Sequence, residues 1–137
     1  MVAMNRNSVC KLLLPLLAMV IPIHCHAQHM NEQDSPCPNA VTTLDMAQCF
    51  SKAKASSDEK LAALYKKVLS KLGGDDADRL AKAQGLWTEY REANCSAEHA
   101  LYKGGSAAPV VYVACMDAMT RARTYELQQT YAVRLKD

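Results

Sequence analysis

The chain has 137 residues, half of them hydrophobic and only 6% aromatic, with 16 Lys and Arg against 14 Asp and Glu. That length suggests a single domain. Two of the cations, Arg6 and Lys11, precede an N-terminal apolar run, so beyond residue 27 the charges balance at 14 against 14 and no nucleic-acid footprint remains.

The apolar run, Leu12 to Ile23, is too short to span a bilayer as a helix. It is followed by Cys25-His26-Ala27, which puts a small residue at the end. This is the layout of a secretory signal peptide, residues 1–27, cut after Ala27. The expected product is periplasmic or secreted, with no membrane span after cleavage. Lipid attachment at Cys25 is disfavoured, because bulky Ile23-His24 stand where lipoprotein signals carry small residues.

Residues 28–41 are polar, with Pro36 and Pro38 bracketing Cys37, and read as an extended, poorly ordered lead-in pinned by its cysteine. His29 reads as part of a solvated tail. From residue 42 to 137 the pattern is helical. Thr42-Thr43-Leu44-Asp45 is a capping pattern, and Leu44, Ala47, Phe50 and Ala53 are spaced to share one helix face. Ser56-Ser57-Asp58-Glu59 is a second cap-like pattern, expected to break or kink this helix. Leu61, Leu64, Tyr65, Val68 and Leu72 then form an apolar stripe, and Gly73-Gly74 stops it.

Asp75 or Asp76 is expected to cap the next helix, with Asp78 in its first turn. Leu80, Ala83, Trp87, Tyr90, Arg91 and Asn94 fall on one face. Trp87, Tyr90 and Arg91 are therefore taken as core, with Arg91 placed to stack on Trp87 at i+4. The helix can run to about Tyr102, where Gly104-Gly105 ends it. Pro109 suits the first turn of a third helix, whose inward face reads Tyr112, Cys115, Met116, Met119, Ala122 and Leu127, with Arg121, Arg123 and Arg134 outside. Val110 to Val113 is the one β-prone run, and the helical period that follows outweighs it. The expected fold is an all-α, disulfide-stapled bundle of three to four helices.

Four cysteines remain after the signal: Cys37, Cys49, Cys95 and Cys115. An even number in a short exported chain implies disulfides, and no Cys-x-x-Cys motif argues for redox exchange, zinc or haem. Cys95 and Cys115 stand at nearly equal distances from the turn of an antiparallel hairpin, which suits a disulfide. Cys37–Cys49 follows by elimination, the favoured one of three connectivities.

No catalytic set can be assembled from this material. His99 and Glu98 are neighbours in sequence and point to different faces, and no base or orienting group accompanies Ser106. No metal or cofactor site is expected, and the Met residues at 116 and 119 read as core. The strongest recognition candidate is the loop Tyr102, Lys103, Gly104, Gly105 and Ser106, an aromatic, a cation and open backbone on a disulfide-pinned stalk. Asp75, Asp76 and Asp78 offer a secondary acidic contact surface.

Four motifs in order then resemble the LprI-like lysozyme-inhibitor family. They are Cys37 with Thr43-x-x-Met46-x-x-Cys49, Ala83-Gln84-x-x-Trp87-x-x-Tyr90-Arg91-x-x-x-Cys95, Tyr102-x-Gly104-Gly105-Ser106, and Cys115-x-x-x-Met119-Thr120-x-x-Arg123. Gly85 is a departure, since that position usually holds a larger residue. The resemblance implies a small exported helical protein that is not an enzyme and that binds a protein partner, a lysozyme or related glycosidase. The alternative is an immunity-type or envelope-stress binding module against another periplasmic target.

Overall fold

The computed structural model describes residues 29–31 and 33–136; the expected signal peptide and Cys25 lie outside them. Helix α1 (Thr43–Lys71) begins at a full capping box. The Asp45 amide donates to Thr42 Oγ1 at 3.1 Å, and the Thr42 amide donates to Asp45 Oδ2 at 3.1 Å. These bonds satisfy two backbone donors at the helix start. They also hold the Asp45 carboxyl below its usual range, the Thr42 side-chain contact contributing most.

Of the expected break or kink, the break does not occur: α1 continues uninterrupted through Ser56-Ser57-Asp58-Glu59. Ser57 and Asp58 bond to neighbouring helices as well as to Lys54 one turn back, and neither takes an amide of its own helix. Ser57 Oγ donates to Asp117 Oδ1 at 2.8 Å, and Asp58 Oδ1 accepts from Arg91 at 2.8 Å. Cap-forming residues in mid-helix are harmless when their oxygens find tertiary partners.

Helix α2 (Gly74–Ala100) has Gly73 at its N-cap, with no side-chain capping bond, and Gly74 enters at φ +43°. Asp75 and Asp76 therefore do not cap it. They stand in its first turn, where they favour the helix dipole and pair weakly with Arg79 at 3.6 and 3.8 Å. Helix α3 (Ala108–Thr130) has Pro in its first turn and absorbs the β-prone valines. Among the described residues there is no strand; the fold is all-α.

Helix α3 packs most closely against both other helices, and α1 and α2 meet each other through side chains such as Asp58 and Arg91. That placement explains why it is buried nearly all round: Val110, Val111, Ala114, Cys115, Met116, Asp117, Ala118, Thr120, Arg123 and Leu127 are all inside. A single inward face, as read from the sequence, underestimates a helix that is sandwiched. Arg123 is buried, not on the outside, and Ala122 is exposed, not inside.

The core falls into sections along the bundle. Cys37, Phe50, Val110 and Ala114 form one cluster at the end where α1 begins, with Met30 packed on it from a short 3-10 turn, His29–Asn31. The lead-in is thus docked at its start, not simply extended, and His29 is half-buried near Glu98 at 3.6 Å. Cys95, Cys115 and Met116 form a second cluster. Leu61, Val68, Leu80 and Leu127 form a third at the opposite end, with Trp87 against it. The stripe from Leu61 to Leu72 faces inward as expected, whereas Leu44 at the head of α1 is exposed.

Candidate partner-binding site

Both disulfides form, Cys37–Cys49 with Cα atoms 5.9 Å apart and Cys95–Cys115 with Cα atoms 5.6 Å apart. Cys95 lies five residues before the end of α2 and Cys115 seven residues after the start of α3, so the covalent link closes the base of the hairpin. Both of these sulfur-bearing residues are fully buried, against Met119 and Asn94.

The connection beyond that base is folded by its own backbone. The Leu101, Tyr102 and Lys103 amides donate to the carbonyls of Glu98, His99 and Ala100, which satisfies the last acceptors of α2. Helix α2 therefore ends at Ala100 and a series of tight turns follows, short of the Tyr102 end read from the sequence. Gly104 takes φ +86°, a left-handed value that favours glycine. The Gly105 amide then donates to the Tyr102 carbonyl at 2.9 Å, so closely that a Cβ on Gly105 would sit 3.3 Å from that oxygen. Lys103, Gly104, Gly105 and Ser106 are exposed and Tyr102 is half-buried.

Polar contacts brace the stalk below. Tyr112 donates its hydroxyl to Glu92 Oε1 at 2.7 Å, across from α3 to α2. That hydrogen bond, with some burial, raises the phenol above its ordinary range. His99 meets Tyr112 edge-on at 6.0 Å, and Asn94 donates to Glu98 at 3.0 Å. His29, Glu98 and Cys115 converge within 4.8 Å. Cys115 is consumed by its disulfide and has no thiolate to offer a metal, so this convergence is a docking contact for the lead-in.

The acidic candidates are elsewhere. Asp75, Asp76 and Asp78 are exposed at the N-terminus of α2, and Lys103 follows its C-terminus. At 1.5 Å per residue the two sets are separated by roughly 40 Å of helix. They cannot share one compact contact patch of ordinary size.

The residues taken as core divide. Arg91 lies with its guanidinium carbon 5.0 Å from the Trp87 ring centroid, and Arg123 approaches the same ring at 5.9 Å. Tyr90 is exposed, as is Ala83, and Gln84 takes the inner position, accepting from Arg123 at 3.1 Å. Arg91 does more than cover the ring: it donates to Asp58 at 2.8 Å and to Thr120 at 2.5 Å. Lys54 also donates to Asp58, at 2.6 Å. Burial would push the Asp58 carboxyl up, but the hydrogen bonds and charges of Lys54 and Arg91 outweigh it and hold the group below its usual range.

Asp117, 1% exposed, accepts from Ser57 at 2.8 Å and from Arg121 at 2.8 Å. This polar band joins all three helices, and the sequence reading missed it. The sequence signal for it is weak: each of Ser57, Asp117 and Thr120 stands one helical turn from an apolar residue, Leu61, Ala114 and Met116, but also from charged or polar ones.

These features define a small, disulfide-stapled, all-helical domain with an exposed, turn-folded connection between α2 and α3. The family described as lysozyme inhibitor LprI matches residues 34–127, and the chain belongs to that family. It is a family of inhibitors, not of enzymes. An uncharacterized protein of Rhizobium meliloti (strain 1021) is 29% identical over 126 residues, covering 82% of this chain and 91% of its own length. No solved structure matches.

Proposed function

We propose that this chain is an exported periplasmic protein that inhibits a lysozyme by stoichiometric binding, using the Tyr102 to Ser106 tip as its wedge. The observation that carries the reading is the disulfide-closed hairpin, which holds an exposed cation and open backbone on a rigid stalk in a member of a lysozyme-inhibitor family. The lysozyme cleft is lined by two carboxylates. Lys103 supplies the complementary charge, and a tip whose backbone is already fixed loses little entropy on insertion. The signal peptide cut after Ala27 delivers the chain to the oxidising compartment that its disulfides require. The acidic end of α2 is too far from the tip to join the same contact, and serves solubility.

The test is lysis of a bacterial suspension by a panel of lysozymes, with and without the oxidised protein. Inhibition saturating near one inhibitor per enzyme is the expected result. Tyr102→Ala with Lys103→Glu should weaken it at least tenfold, which is about 1.4 kcal/mol. Full inhibition by that double variant would remove the tip from the mechanism. No inhibition of any lysozyme would favour an immunity-type module against a different periplasmic target.

A further inference from the structure

Helix α2 carries a second apolar line that faces away from its own bundle. Ala83, Leu86, Tyr90, Ala93, Ala97 and Ala100 recur at alternating steps of three and four residues, and every one of them is exposed. Leu86 is 58% and Tyr90 61% exposed, and both stand among the large apolar side chains left open by the fold. The inward line of the same helix, Leu80, Gln84, Trp87, Arg91 and Cys95, lies about a third of a turn away. An alternating three-and-four repeat sustained over five turns is the pattern of a helix that packs on another helix. None of the other described helices covers it, because α1 and α3 pack on the inward line.

We infer that this line is the interface of an antiparallel dimer, α2 against α2 of a second copy, with the dyad between residues 91 and 92. The register follows from the side chains. In this alignment Leu86 faces the second copy's Ala97, Tyr90 faces its Ala93, and Ala83 faces its Ala100, with the same three pairs repeated by symmetry. A large residue meets a small one at each of the four central layers, which lets two helices approach without voids. Glu89 then faces the neutral Ser96 of the second copy. Sliding by one heptad so that Leu86 meets Tyr90 would instead set Glu89 against Glu89, like charge on like charge. A parallel pair would stack Tyr90 on Tyr90 and leave alanine facing alanine.

A specific interface needs about 1,000 Å² buried in all, and Leu86 and Tyr90, each more than half exposed on both copies, are the largest side chains this line would contribute to it. The two hairpin tips then point to opposite ends of the dimer, so each remains open to a partner. The dimer is therefore independent of the inhibitory reading.

Sedimentation of the oxidised chain tests this. The mass should rise from monomer to dimer between about 1 and 100 μM. Leu86→Lys and Tyr90→Glu should each weaken association at least tenfold while leaving the helical circular dichroism unchanged, since both side chains are exposed in the single copy. In an equimolar mixture of Leu86→Cys and Ala97→Cys chains, oxidation should give the mixed cross-linked dimer in preference to either like pair. A monomer mass across the whole range overturns the proposal. So does a dimer that tolerates both charged variants, or one in which Leu86→Cys cross-links chiefly to itself.

Discussion

Replacing Cys95 and Cys115 together by alanine should be the costliest change that leaves the hairpin sequence otherwise intact. The bond spans 20 residues, and releasing that closure in the unfolded chain is worth about 3 kcal/mol on the chain-entropy account. The second bond spans 12 residues, and the same account also gives about 3 kcal/mol for it. The two differ in what the sulfurs fill. Cys95 and Cys115 are wholly buried, with Cys95 Sγ 3.7 Å from Met119 Sδ, whereas Cys49 is half-buried at the edge of its cluster. Truncation at the buried pair leaves a void and adds about 1 kcal/mol or more. The expected losses are therefore about 4 kcal/mol for Cys95→Ala with Cys115→Ala and about 3 kcal/mol for Cys37→Ala with Cys49→Ala. In a domain of this size they correspond to melting points lower by about 20 °C and about 15 °C. Urea and thermal unfolding followed by far-ultraviolet circular dichroism measure both. A loss below about 1 kcal/mol at the buried pair, or a larger loss at the outer pair, would refute the reasoning.

Three further outcomes are expected. Asp117→Ala should cost about 1–3 kcal/mol in urea unfolding, because it removes a buried acceptor shared by the Ser57 hydroxyl and the Arg121 guanidinium and leaves a void at a 1% exposed position; Ser57→Ala with Asp117→Leu should recover part of that loss. Asp58, whose folded carboxyl sits below its ordinary value, adds stability that is complete above about pH 4 and is lost as pH falls through the lower folded value; Asp58→Asn should flatten the acid limb of a stability–pH curve. Gly104→Ala should cost about 1 kcal/mol, read from the melting point, because φ +86° is strained for any side chain, and should weaken inhibition by disturbing the tip.

Much of the architecture was legible because it is written in spacing. The apolar steps from Leu61 to Leu72, the Thr42 to Asp45 box and the equal heights of Cys95 and Cys115 each encode a local geometry that survives folding. The errors about which residues are buried have one cause. A one-dimensional pattern does not say how many neighbours a helix has. Helix α3 has one on each side, so Arg123 and Thr120 are inside. Helix α2 is packed along a single line, so Tyr90 and Ala83, apolar and well spaced, are left outside. Ser57 and Asp58 looked like a cap because a side-chain oxygen can bond its own backbone or a distant helix, and only the tertiary arrangement decides which. The tip residues were found as a loop between glycines, but the separation of the acidic cluster from that loop needed the uninterrupted length of α2.

Both disulfides lie toward the end of the bundle that carries the tip, while the opposite end, where α1 turns into α2 and α3 terminates, is held among the described residues by apolar packing and by hydrogen bonds such as Arg123 to Gln84, with no covalent tie. Opening motions should therefore be polarised. Amides near Leu72, Leu80 and Thr130 can exchange with solvent through partial unzipping that never reaches the covalent clamps, while those around Cys95 and Cys115 exchange only when the whole domain unfolds. A partner held at the tip would grip the part of the molecule that moves least, and thermal agitation would be discharged at the far end.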